Sequence, residues 1–136
     1  MTIEFFMPMV PPTVTHQEQK TGIRNGKPFR YEPPELKAAR AKLTAHLTKH
    51  KPECKLNGAL RLETTWLFPC GESHKPGEYR ITKPDTDNLQ KLLKDCMTAV
   101  GFWKDDAQVA VECVQKRWND VPGIHITVTE LDNGCE

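Results

Sequence analysis

Apolar positions along the chain switch between a period of two and a period near 3.6, and each switch marks an element. Ile3 to Met9 is a short aromatic and aliphatic run that stops at Pro11-Pro12, residues unable to donate to a ladder, and it predicts a first strand. Leu36, Ala39, Leu43 and Leu47 recur at helical spacing between Glu35 and Lys49, with Ala38, Ala41 and Ala45 adding propensity, so a first helix follows. Gly58 to Phe68 sets Leu60, Leu62, Thr64, Trp66 and Phe68 against Ala59, Arg61, Glu63, Thr65 and Leu67, the alternation of a second strand. Leu89, Leu92, Leu93, Cys96, Met97 and Val100 form the clearest amphipathic stripe, on a helix from Asn88 to Val100 that Gly101 stops. Val109 to Gln115 and Ile124 to Leu131 alternate again. Asn119-Asp120-Val121-Pro122-Gly123 between them predicts the turn of an antiparallel hairpin. The expectation is an α+β fold, a small mixed domain with antiparallel strands packed against two main helices.

Between the first strand and first helix, residues 13–34 form a polar, basic loop or arm. Asn25-Gly26, lying between Ile23 and Phe29, is a candidate hairpin turn within it. Loops of this length more often bind something than merely connect, with disorder as the plain alternative. The 136 residues, 38% hydrophobic and 27% charged, fit one domain over 1–136 and need neither a disulfide framework nor a structural metal to fold. The formal charge is only +1, but it is unevenly spread. Lys20 to Arg61 holds eleven basic residues against Glu32, Glu35 and Glu53, whereas Asp105 to Glu136 holds two against seven acidic ones. A basic first half can follow a phosphate backbone, and a solvated cationic face explains it equally well.

Other signals are negative. Cys54, Cys70, Cys96, Cys113 and Cys135 are odd in number and contain no C-x-x-C pair, so no disulfide scaffold or zinc knuckle is written. The N-terminus carries Glu4 and lacks a basic leader region, and no apolar run approaches the roughly 20 residues that span a bilayer. The expectation is a soluble, cytoplasmic protein of a reducing compartment. No glycine-rich phosphate loop is present. His46 and His50 have two-histidine metal spacing but no evident third ligand, and two histidines in a last helical turn suit the helix dipole as well.

Chemistry concentrates around the second helix. Lys83-Pro84-Asp85-Thr86-Asp87-Asn88-Leu89-Gln90-Lys91 puts two aspartates where extended chain enters the helix, and Trp103-Lys104-Asp105-Asp106 puts two more at the mouth of the next strand. Hard divalent cations take oxygen ligands, and Mg²⁺ commonly uses one or two carboxylates with water and substrate phosphate, so Asp85, Asp87 and Asp106 suffice. Each has an ordinary reading too. Asp87 with Gln90 three residues on makes a capping box, and Asp105-Asp106 suits a turn. Lys91, four residues after Asp87 and four before Asp95, is either the centre of an i,i+4 ladder or a cation poised beside a phosphate. The helix is roughly 20 Å long at ~1.5 Å per residue, so Asp106 must either fold back along it or come from a second subunit.

These residues, Lys83 through Lys91, Asp95, and Gly101-Phe102-Trp103-Lys104-Asp105-Asp106-Ala107-Gln108-Val109, resemble the signature of RusA-type Holliday junction resolvases. These are small Mg²⁺-dependent endodeoxyribonucleases often carried by phages and prophages. Pro11-Pro12-Thr13 is similar to the family's opening strand and turn, with Thr15 and His16 where an asparagine is common. The resemblance implies Asp85, Asp87 and Asp106 as catalytic metal carboxylates and Lys91 as catalytic lysine; Asp95, Asp105 and Gln108 match motif positions that rank below these, with no role assigned. It implies Mg²⁺ as cofactor, with Mn²⁺ as a substitute, and a homodimer acting on a four-way DNA junction, whose two-fold symmetry two identical sites can match. Lys20, Arg24, Lys27, Arg30, Lys37, Arg40, Lys75, Arg80 and Lys83 are the candidate DNA-binding cations. The rival readings are a non-catalytic branched-DNA-binding dimer and a small metal-dependent phosphatase.

Overall fold

The computed structural model describes residues 1–15 and 20–132. Strands are β1 (Thr2–Met7), β2 (Lys20–Arg24), β3 (Lys27–Tyr31), β4 (Leu60–Pro69), β5 (Val109–Asn119) and β6 (Gly123–Glu130); helices are α1 (Pro34–Thr48) and α2 (Thr86–Val100). β1, β6, β4 and β5 form one sheet in that order, and β2 and β3 form a separate hairpin. Asn25 and Gly26 both take positive φ between Arg24 and Lys27, the mirror-image turn that matches strand twist, as the Asn-Gly pair predicts.

β4 buries the face its alternation predicts. Leu60, Leu62, Thr64, Trp66 and Phe68 are buried, and Ile124, Ile126 and Val128 of β6 and Phe5 and Met7 of β1 lie in the same core. Leu36, Leu43 and Leu47 of α1 and Leu89, Leu92, Leu93, Cys96 and Met97 of α2 complete it, so both apolar helix stripes are spent on one core. The fold is α+β, and its sheet is mixed. No described helix is long and apolar enough to cross a membrane.

Two local expectations are corrected. β5 and β6 are not hairpin partners: β4 lies between them, paired antiparallel with β6 and parallel with β5. Alternation reports a half-buried strand but not its neighbour. Asn119 stands opposite Pro69 and Gly123 opposite Leu67, so the connecting residues cross the end of β4. Two strand spacings, about 10 Å, are within reach of four Cα steps of about 3.8 Å. Gly123 is required in the crossing, because a Cβ there would run into the Phe6 ring and lie 2.7 Å from the Met7 carbonyl oxygen. Parallel pairing of β4 with β5 in turn demands a crossover, and α2 supplies it.

The second correction concerns the start of α2. The N-cap is Asp85, its side chain makes no capping hydrogen bond, and Asp87 lies inside the first turn, so the Asp87–Gln90 capping box does not form. Gln90 is instead buried, its Oε1 accepting from the Thr64 hydroxyl at 3.0 Å. That hydroxyl also accepts from the Trp66 indole N–H at 3.1 Å. The helix begins two residues earlier than a cap at Asp87 requires, which turns Gln90 to the core face and leaves both aspartates outside.

Candidate active site

The segment leading into α2 is fastened by β5. Lys116 Nζ donates to the Thr82 carbonyl at 2.8 Å and to that of Pro84 at 2.7 Å. Arg117 donates to the Gly77 carbonyl at 2.9 Å and the Tyr79 hydroxyl at 2.8 Å, and its guanidinium lies over the Tyr79 ring. Arg80 turns inward, its guanidinium 4.3 Å from the Phe68 ring centre and 4.5 Å from that of Trp118, and donates to the Lys83 carbonyl. Burial lowers the pKa of Lys116, the Arg80 charge lowers it further, and Asp85 pulls the other way. The Lys83–Pro84 peptide is cis and Pro84 is buried. Asp85 therefore leaves a pinned backbone as an exposed carboxylate, and Asp87 follows one residue into the helix, also exposed. Both stand at the positive end of the α2 dipole. Among the described residues neither side chain has an ion pair or hydrogen bond.

Asp106 opens a short 3-10 helix, Asp106–Gln108, just ahead of β5. Asp105 caps it, accepting from the Ala107 N–H at 2.8 Å. Gln108 works with both ends of its amide. Oε1 accepts from the Lys104 and Asp105 N–H groups at 3.1 Å each, while Nε2 donates to the carbonyls of Leu56 at 3.2 Å and Gly58 at 3.1 Å. This buckle holds the turn against the segment before β4.

Lys91 links helix and turn within one chain. Its Nζ is 2.9 Å from Asp95 Oδ1 and 3.7 Å from Asp106 Oδ2. Asp95 first, and Asp106 beside it, hold the ammonium above its ordinary pKa. The return of Asp106 to α2, left open between two arrangements by chain length alone, is made by the chain itself at Lys91. Among the described residues no three His, Cys, Asp or Glu side chains meet as a ready-made metal cluster. The donor chemistry nonetheless fits a hard cation, because an Asp85–Asp87 pair with substrate phosphate and water meets the requirement of Mg²⁺ without a third protein ligand.

The other sequence candidates separate. Lys27, Lys37, Lys75 and Lys83 are exposed, as a phosphate-tracking role needs. Arg80 is packed on aromatic rings, and Arg40 is paired with Glu32 at 2.6 Å and Asp95 at 4.0 Å. Lys20, Arg24 and Arg30 fall on hairpin strands, and their side chains, like His16 and Cys135, lie outside the described residues. His50 stacks on Phe5 with ring centres 4.4 Å apart, and burial followed by Lys49 and Lys42 lowers the pKa of His46. Lys116 and Arg117 were not among the candidates. Two adjacent cations at the end of an alternating strand were the available signal.

Comparison with known proteins adds an independent line. Residues 8–129 match a family described as Endodeoxyribonuclease RusA. The chain is 36% identical over 92 residues, 65% of its length and 70% of the relative's, to a crossover junction endodeoxyribonuclease of Lactococcus phage r1t. It is 43% identical over 63 residues, 46% of its length and 50% of the relative's, to the crossover junction endodeoxyribonuclease RusA of Escherichia coli. It is also 25% identical over 129 residues, 87% and 90% of the two chains, to the uncharacterised protein YqaN of Bacillus subtilis.

Proposed function

The chain belongs to the RusA family of endodeoxyribonucleases, and from that premise we propose that it is a Mg²⁺-dependent resolvase of four-way DNA junctions. Acting as a symmetric homodimer, it nicks paired strands of like polarity, one site per subunit. The observation that carries the reading is the pair of exposed carboxylates Asp85 and Asp87 at the positive end of α2, neither with an ion pair or hydrogen bond among the described residues, with Lys91 one helical turn beyond Asp87 and paired with Asp106.

Asp85 and Asp87 would hold the ion, and Asp106, beside Lys91, would be the third catalytic carboxylate without having to ligate the ion directly. Bound there, Mg²⁺ or Mn²⁺ would activate water and neutralise charge on the scissile phosphate. The chain's own residues supply the rest. Lys116, donating to the Thr82 and Pro84 carbonyls, fixes the backbone from which Asp85 projects. Lys91 sets a positive charge beside Asp106, where it can stabilise the phosphorane-like charge or the leaving oxygen. Lys27, Lys37, Lys75 and Lys83, exposed, neutralise phosphates along the arms of the junction and carry no base reading of their own.

The test is Asp85→Asn on a labelled four-way junction with Mg²⁺, beside a linear duplex. Loss of nicking with junction binding retained is expected. Nicking at the wild-type rate removes the assignment. Retardation of the junction by the wild type without any nick returns the chain to a binding role, and turnover of a small phosphate ester in preference to DNA returns it to a phosphatase.

A further inference from the structure

Five charged side chains of alternating sign run from the base of the β2–β3 hairpin to the candidate site. Glu32, one residue past β3, accepts from Arg40 Nε of α1 at 2.6 Å. Arg40 Nη2 lies 4.0 Å from Asp95 Oδ2 on α2, Asp95 Oδ1 lies 2.9 Å from Lys91 Nζ, and Lys91 Nζ lies 3.7 Å from Asp106 Oδ2. Every inner member has the opposite charge on both sides. Glu32, Arg40 and Asp95 are each about three quarters covered, at 24%, 25% and 25% exposure, while Lys91 is half exposed at 51%.

Two properties set this chain apart from ordinary surface pairing. A single exposed ion pair adds little to stability, because water screens it and side-chain entropy is lost, whereas partly covered charges linked in a network restrain one another. A linked row does fix position, since each charge is restrained from two directions. The member that needs restraint is Lys91, a flexible lysine half open to solvent whose usefulness depends on where its ammonium sits. Asp95 provides that restraint at hydrogen-bond distance, and Arg40 gives Asp95 its own second contact. Arg40 reads from sequence as a phosphate ligand in a basic helix, yet its guanidinium is turned to two carboxylates of its own chain.

We infer that Asp95 and Arg40 are positioning residues that hold the Lys91 ammonium beside Asp106, and that Glu32 ties this row to the base of the β2–β3 hairpin. The row then gives the hairpin a physical connection to the site, running through α1 and α2 instead of along the backbone.

For its kinetic readout the inference rests on the nuclease reading; a second readout is independent of it. Asp95→Asn and Arg40→Met are measured for junction affinity and for the single-turnover nicking rate at saturating junction. A positioning role predicts a rate lowered about tenfold in Asp95→Asn, with affinity changed less than about twofold and partial recovery in Asp95→Glu. Arg40→Met is expected to slow nicking in the same direction, and because Arg40 acts through Asp95, adding it to Asp95→Asn lowers the rate little further. The second readout is the Lys91 side-chain signal in ¹³C-lysine-labelled protein without metal or DNA. It should shift and narrow toward that of a free lysine in Asp95→Asn, and move in Arg40→Met. Additive rate losses overturn the row, and so does an unmoved Lys91 signal. A loss in Arg40→Met confined to affinity, with weaker salt dependence, makes Arg40 a phosphate ligand and overturns its positioning role. Absence of nicking by the wild type defeats the nuclease reading alone, and the Lys91 signal still decides the row.

Discussion

Removing the amide of Gln108 releases the turn that carries Asp106, and the cost can be worked from its four hydrogen bonds. Oε1 serves the N–H groups of Lys104 and Asp105, and Nε2 the carbonyls of Leu56 and Gly58. Three of the four are solvent-exposed, so water replaces part of what Gln108→Ala removes and each falls near the low end of a net hydrogen bond, ~0.5 kcal/mol. The sum is about 2 kcal/mol, which for a chain of this size lowers Tm by roughly 6 to 8 °C. Gln108→Glu separates the two halves of the buckle. It keeps the acceptor for two N–H groups but sets a carboxylate against two carbonyl oxygens, so it should destabilise at least as much as alanine. Urea unfolding with a shared m-value measures both. A second effect follows from position, because Asp106 begins the buckled turn and contacts Lys91. Nicking by Gln108→Ala at a temperature where it is fully folded should drop severalfold. A loss below about 0.5 kcal/mol together with unchanged nicking would refute the claim that Gln108 holds this turn.

Thr64→Val leaves the Trp66 indole N–H and Gln90 Oε1 buried without their shared hydroxyl; about 2 to 4 kcal/mol should be lost in urea unfolding, and less than 1 kcal/mol would show that the two re-pair. Thiol alkylation with peptide mapping should modify exposed Cys54 and Cys113 quickly at neutral pH. Burial pushes the Cys96 thiol up, and a hydrogen bond to Asp120 followed by burial does the same for Cys70, so these two should react only on unfolding. Glu130 is held below its ordinary value of 4.5 by the Asn57 N–H and, more weakly, by the terminal ammonium. A depressed carboxylate stabilises above its unfolded pKa and loses that contribution as pH falls through the folded one. Glu130→Gln should therefore lower Tm at pH 7 and flatten its fall below about pH 4.5; an unchanged acid limb would contradict this.

What could be read beforehand was whatever depends on periodicity. The stripes of α1 and α2, the buried face of β4, the Asn25-Gly26 turn and the Gly101 stop follow from rules acting within a few residues. The place of β5 beside β4 does not, because alternation is the same for any neighbour; only the requirement for a crossover, met by α2, decides it. The start of α2 is not legible locally because Asp85 and Asp87 have equal capping propensity, and tertiary structure makes the choice, through Gln90 turning in to Thr64. At the candidate site the residue types were legible as chemistry, while their supports were not. Nothing local in Lys116 announces that it will hold the carbonyls of Thr82 and Pro84, more than thirty positions earlier in the chain.

The return of Asp106 to α2 is built from apolar burial before any charge takes part. Gly101 enters the left-handed region at φ 105°, its N–H bonded to the Met97 carbonyl, and turns the chain sharply out of the helix. Phe102 and Trp103 follow, both fully buried, and the Trp103 indole N–H donates to the Thr98 hydroxyl at 2.7 Å. Leu56 N–H binds the Phe102 carbonyl at 2.8 Å, so the segment is secured on its other side as well. Burying two large aromatic side chains contributes several kcal/mol, on the order of 25 cal/mol per Å² of apolar surface, far more than a half-exposed Lys91–Asp106 pair can. The core thus sets the course of the chain, and Lys104-Asp105-Asp106 emerges beside α2 because the two preceding residues are anchored. Lys91 and Gln108 then need only fix the last few ångströms, which is the scale on which weak, directional contacts decide whether a carboxylate stands where chemistry requires it.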